Sequence, residues 1–134
     1  MARQIYVNLA VQDLHRSQTF FSQLGFAFHA PFCNEKAICM KITDDIFVML
    51  LHKDFFQGFT LKPLCDAQQQ TEVLLCLGLD SRAEVEGMVQ RVIAVGDYIP
   101  IPAIDNGFMY SQSFQDLDGH LWELCYMPAE GVAD

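Results

Sequence analysis

Residues 5 to 25 read IYVNLAVQDLHRSQTFFSQLG, and they contain a strand, a helix cap, a helix and its stop. Ile5, Val7, Leu9 and Val11 alternate with Tyr6, Asn8 and Ala10, the period of two expected of a strand with one buried face. Asp13 then offers a carboxylate to the orphan N–H groups of a helix start. Behind it Leu14, Ser17, Phe20, Phe21 and Leu24 recur at helical spacing until Gly25 ends the run.

Beyond Gly25, FAFHAPF (Phe26 to Phe32), AICMKI (Ala37 to Ile42) and IFVMLL (Ile46 to Leu51) predict three more strands, with Asn34-Glu35 and Asp44-Asp45 at the turns. The first module, residues 4 to 51, is therefore βαβββ. Residues 52 to 70 carry Gly58, Pro63 and a glutamine run and read as a connector. The plan then repeats. In EVLLCLGLDS, Val73, Leu75, Leu77 and Leu79 share one face, while Glu72, Leu74, Cys76 and Gly78 share the other. Asp80-Ser81 starts a helix that stops at Gly96. Strands near Tyr98 to Pro102, Phe108 to Gln115 and Leu121 to Met127 complete a second βαβββ module, residues 71 to 127. The two modules are expected to form a single domain over residues 1 to 128, with a flexible tail at 129 to 134.

A chain of 134 residues, 51% apolar and 19% charged, suits one domain with a substantial core. Its longest apolar runs are too short to span a bilayer, and MARQIYVNL lacks the apolar region of a signal peptide, so the chain reads as cytoplasmic with no membrane partner. A net charge of −9 with only eight Lys and Arg argues against nucleic acid, which needs clustered cations. Five cysteines without a Cys-x-x-Cys pair give no zinc or redox motif. Cys39, Cys76 and Cys125 fall inside strand patterns and read as small buried hydrophobes.

Chemistry concentrates in FQDLDGHLWEL, residues 114 to 124, where Glu123 stands between Trp122 and Leu124. The Asp116-Leu117-Asp118-Gly119 run looks like a calcium loop only at first sight. His120 and Trp122 occupy its downstream ligand positions and the twelfth-position Glu is missing, so it reads as a hairpin turn. His15, His29, His52 and His120 are isolated and form no spaced ligand pair. Hydrolase and phosphate-cradling glycine motifs are absent.

The repeat, with VNLAVQDLHRSQTFFSQLGF at its start and the D-x-D-G-x-x-x-E run from Asp116 to Glu123 at its end, resembles the vicinal oxygen chelate superfamily. That superfamily contains glyoxalase I, extradiol dioxygenases, fosfomycin-resistance enzymes and bleomycin-binding proteins. The resemblance implies an α+β chain whose two βαβββ modules form open curved sheets, a glyoxalase/bleomycin-resistance-like barrel, paired in a homodimer. It also implies a groove for a small molecule, which in many relatives holds a divalent metal. Of the four ligand positions it implies, Glu123 is retained, while Tyr6, Met49 and Leu74 stand at the others. Glu72 shares the face of Leu74, so a shifted register would return one carboxylate. Two carboxylates without an imidazole still suit zinc, nickel or iron poorly.

No metal or other cofactor is therefore expected, with a divalent ion as the alternative. The expected function is binding of a small organic molecule, in a pocket of Tyr6, Asn8, Phe47, Met49, Glu72, Leu74, Phe108 and Tyr110 around Glu123. Two enzymatic readings compete with it. One is a metal-dependent lyase/isomerase or dioxygenase of the glyoxalase type, and the other a metal-free enzyme using Glu123 as general acid or base. Phe55, Phe56 and Phe59 in the connector are expected to cover a cavity or a dimer surface.

Overall fold

The predicted strand, cap and helix are present at the start of the computed structural model, which describes residues 3–95 and 102–128. β1 (Ile5–Val11) leads to Asp13, whose extended backbone and carboxylate, accepting the Arg16 N–H at 3.0 Å, cap α1 (Leu14–Gln23). Gly25 follows the helix at φ +102°, the left-handed conformation that favours glycine.

The next segment departs from expectation. Phe26 to Phe32 is not one strand but β2 (Ala27–Phe28) followed by a short 3-10 turn at Ala30–Phe32. Pro31 accounts for the break, because its ring fixes φ and removes the N–H that a ladder needs. β3 (Ala37–Lys41) and β4 (Ile46–His52) follow. The connector starts with structure of its own, since β4 continues through His52 and α2 (Lys53–Gln57) succeeds it. His52 Nδ1 caps that turn by accepting the Asp54 N–H at 3.2 Å.

The second half comprises β5 (Leu74–Gly78), α3 (Arg82–Val95), β6 (Ile104–Asp105), β7 (Tyr110–Gln115) and β8 (Leu121–Tyr126). Ser81 Oγ accepts the Glu84 N–H at 3.0 Å and caps α3, as Asp13 caps α1. The expected helix stop at Gly96, nearly all of the expected strand near Tyr98 to Pro102, and the expected tail lie outside the described residues.

The strands make two four-stranded mixed sheets, ordered β1-β4-β3-β2 and β5-β8-β7-β6, and neither closes on itself. In each, the first strand pairs parallel with the fourth, and the other neighbours are antiparallel. The repeat holds down to paired residues: Asn8 lies across from Met49 in the first sheet, and Cys76 lies across from Glu123 in the second. The chain divides into two compact units, Met1–Asp66 and Ala67–Asp134, the division falling within the connector.

Each unit packs a helix on one face of its sheet. In the first, Leu9, Val11, Ile38, Met40, Val48 and Leu50 share a face by register and are all buried, and α1 packs on β3 and β4 with Phe20, Phe21 and Leu24. In the second, α3 packs on β7 and β8, and its Val85, Met88, Val89 and Val92 are buried at helical spacing. Phe114 and Trp122 pair across β7 and β8, with their rings stacked at 6.0 Å. Among the described residues, no helix is long and apolar enough to cross a membrane.

The turn before β8 is organised by Asp116. Its buried carboxylate accepts the N–H of Asp118 (3.0 Å), the N–H of His120 (2.9 Å) and Trp122 Nε1–H (3.1 Å). The acidic run thus serves the hairpin. Gly119, at φ +90°, closes the turn so tightly that a Cβ there would sit 2.7 Å from the Ala67 carbonyl oxygen.

Candidate functional site

β8 lies between β5 and β7, so Glu123 stands in the interior of the second sheet. Register decides its neighbours. Cys76 of β5 and Ser113 of β7 are directly across from it, and Leu74, Gly78, Leu121, Cys125, Ser111 and Gln115 complete the same face. The opposite face carries Phe114, Trp122 and Leu124 and is the one α3 covers. Glu123 is half-buried, with a thiol on one side and a hydroxyl on the other.

The thiol is chemically constrained. Cys76 donates its S–H to Cys125 Sγ at 3.5 Å, and Glu123 stands directly across from it. Desolvation first, then Cys125 and Glu123, push its pKa up to about 12. Cys76 thus keeps its proton at neutral pH and is a poor nucleophile. On the other side of Glu123, Ser113 is buried, and its Oγ has no hydrogen-bond partner among the described residues. None of the five cysteines forms a disulfide.

The residues expected around Glu123 belong to both units. Tyr6, Asn8, Phe47 and Met49 share one face of the first sheet, where Tyr6 stacks on Phe47 with ring centroids 4.9 Å apart. Tyr6 donates its hydroxyl to Gln4 Oε1 at 3.1 Å, and Asn8 donates its amide to the Tyr6 carbonyl at 3.1 Å. Leu74 shares the face of Glu123, one pair away from it. Glu72 precedes β5 and Phe108 precedes β7, and both are exposed.

Tyr110 lies on the other face. It pairs with Tyr126, whose parity is that of Trp122 and Leu124, and its ring lies under the Arg82 guanidinium at 4.1 Å. Its hydroxyl reaches Glu86 of α3 at 3.4 Å, while Asp105 Oδ2 holds Arg82 Nη1 at 2.6 Å. Tyr110 therefore braces α3 and does not face Glu123. In the connector, Phe55 and Phe59 meet edge to face at 5.3 Å, and Phe59 is exposed.

Sequence reasoning overlooked Cys76 and Ser113. The reading of a small buried hydrophobe suits Cys39 and Cys125, which are buried, but not Cys76, which is exposed. A usable signal existed in parity. Cys76 alternates in step with Glu72 and Leu74, and in YSQSFQ the two serines occupy the face that the aromatics leave.

The donor set does not fit a resident metal. On its face of the second sheet Glu123 has Leu74, Cys76 and Ser113 for neighbours, and the raised pKa of Cys76 opposes a thiolate beside it. Among the described residues no group of three or more His, Cys, Asp or Glu is placed to hold an ion.

Two open sheets of the same βαβββ plan, one carrying a single interior carboxylate, define an α+β protein of the glyoxalase/bleomycin-resistance fold. Residues 3–43 match the family described as bleomycin resistance protein-like N-terminal. By that match and by its fold, the chain is similar to proteins of the glyoxalase/bleomycin resistance/dioxygenase kind. It is similar to the hypothetical protein SA1046 from S. aureus, at 28% identity over 94% of this chain and 95% of that one, with a TM-score of 0.80. A glyoxalase/bleomycin resistance protein/dioxygenase family enzyme from Burkholderia phytofirmans PsJN is 16% identical over 95% of this chain and 100% of that one, with a TM-score of 0.77. The fosfomycin resistance protein FosX from Listeria monocytogenes, solved with Mn(II) and sulfate, is 18% identical over 98% of this chain and 94% of that one, with a TM-score of 0.69. No curated protein sequence matches the chain.

Proposed function

We propose that the protein binds a small organic molecule at Glu123, without a resident metal, and that it acts in the cytoplasm as a homodimer. The observation that carries this reading is the setting of Glu123. One half-buried carboxylate stands in a sheet interior between a protonated thiol and a buried hydroxyl, and the other three ligand positions of metal-binding relatives hold Tyr6, Met49 and Leu74. A carboxylate so placed selects for a hydrogen-bond donor or a cation.

The test is a thermal-shift screen of cationic, neutral and anionic small molecules against wild type and Glu123→Gln. A cationic or donor-rich compound that raises Tm in wild type and not in the variant supports the reading. Ligands that stabilise both proteins equally would remove Glu123 from the site. Glu123 is an acid or base of a metal-free enzyme if Glu123→Gln keeps the affinity for a compound but abolishes its turnover.

A further inference from the structure

Cys76, Glu123 and Ser113 lie in one row across three adjacent strands, and the row ends in a buried hydroxyl whose oxygen has no hydrogen-bond partner among the described residues. Buried polar groups are nearly always paired, so an empty one beside a functional carboxylate marks where a ligand atom belongs. Resting on the reading of Glu123 as a ligand-binding group, we infer that this row is a subsite for a primary ammonium group, held by Glu123 and Ser113 together.

The geometry favours a tetrahedral nitrogen. Neighbouring strands stand about 4.8 Å apart. Two N–H···O bonds of about 2.9 Å from one tetrahedral nitrogen span about 4.7 Å. A single –NH₃⁺ can therefore bridge acceptors rising from β8 and β7, with the longer Glu123 side chain leaning towards Ser113. A quaternary ammonium has the charge without the N–H groups and cannot make the bridge. On the β5 side Cys76 keeps its proton, with its S–H on Cys125 Sγ at 3.5 Å, so no thiolate stands beside the carboxylate to compete for the ammonium. Ser113 Oγ, shielded in the free protein, becomes a partner when Glu123 turns from Cys76 towards it.

The test uses benzylammonium and its N,N,N-trimethyl counterpart as probes, titrated into ¹⁵N-labelled full-length protein. Benzylammonium is expected to shift the amide resonances of Cys76, Glu123 and Ser113, and the trimethyl compound to leave them unmoved. Ser113→Ala should weaken the benzylammonium response about three- to tenfold, the worth of one net hydrogen bond, and Ser113→Thr should restore it. Equal responses to the two probes, or no loss in Ser113→Ala while its spectrum stays folded, would overturn the ammonium subsite. If neither probe shifts these resonances but another compound of the thermal-shift screen does, the subsite fails and the function at Glu123 stands. If no compound of either experiment reaches the Glu123 face, both fail.

Discussion

Cys76 lies directly across the sheet from Glu123, and that carboxylate helps to hold the proton on its thiol. The pairing holds a proton in the sheet beside the one interior carboxylate. With a pKa of about 12, about one Cys76 in 10⁴ is a thiolate at pH 8. Cys76 should therefore react with iodoacetamide far more slowly than exposed Cys65 in the native protein, although it too is exposed. Glu123 is among the causes that raise Cys76, so Glu123→Gln lowers that pKa and should speed Cys76 alkylation severalfold with Cys65 unchanged. Peptide mapping by mass spectrometry reads both rates. An unchanged Cys76 rate in the variant would show that the thiol does not sense the carboxylate.

Glycine is required unequally at Gly25 and Gly119, two of the three left-handed glycines among the described residues. Gly25, at φ +102°, has open space around it, so Gly25→Ala should cost about 1 kcal/mol for conformation alone. At Gly119 a Cβ also meets the backbone of Ala67 and Gln68 within 2.8 Å, and backbone cannot rotate away. Gly119→Ala should cost at least twice as much, about 2–4 kcal/mol. Urea denaturation of both variants measures the difference, and equal costs would remove the Ala67 contact from the account.

Burial raises the Asp116 pKa against the opposing pull of His120 and of the Trp122 and His120 N–H donors. The folded state therefore binds this proton more tightly than the unfolded state, where the ordinary value is about 3.9. With more protons bound when folded, stability from this group falls as pH rises from about 3.9 through the raised folded value. Asp116→Asn carries no such proton, so the advantage of wild type over the variant should shrink as pH rises across that window. Asp116→Ala leaves three donors of the turn without their acceptor and should cost about 2–3 kcal/mol at neutral pH, and more at low pH. Chemical denaturation at several pH values tests both, and a pH-independent difference for Asp116→Asn would contradict the raised value.

The two strand-cap-helix junctions were legible because their signals are local. Asp13 and Ser81 sit where side-chain oxygens reach helix N–H groups, and alternation on either side fixes which face is buried. The Lys53–Gln57 turn escaped because a single turn shows no apolar period, and its cap is an imidazole nitrogen, outside the usual set of cap residues. At the site, Glu123 announced itself as a charge among apolar residues, whereas its neighbours depended on long-range pairing. Only the β5-β8-β7 register makes Cys76 and Ser113 its partners and turns Tyr110 towards Arg82. Alternation within β7 alone is compatible with either direction, and the side chains of α3 decide it.

Metal content separates the binding reading from glyoxalase and dioxygenase chemistry. Glu123 is the single carboxylate on its face of the second sheet among the described residues, and one monodentate carboxylate does not hold a transition metal through purification. Protein purified without a metal-binding tag should contain far less than one equivalent of zinc, nickel, manganese or iron, in wild type and in Glu123→Gln alike. Elemental analysis by mass spectrometry makes the measurement. Stoichiometric metal in wild type that disappears in Glu123→Gln would instead identify Glu123 as a ligand and restore the metalloenzyme reading. Glu72, exposed just before β5, would then be the next residue to replace, because its carboxylate is two residues from the Leu74 position and on the same strand parity. Metal that persists in both proteins would lie elsewhere and leave the Glu123 face as described.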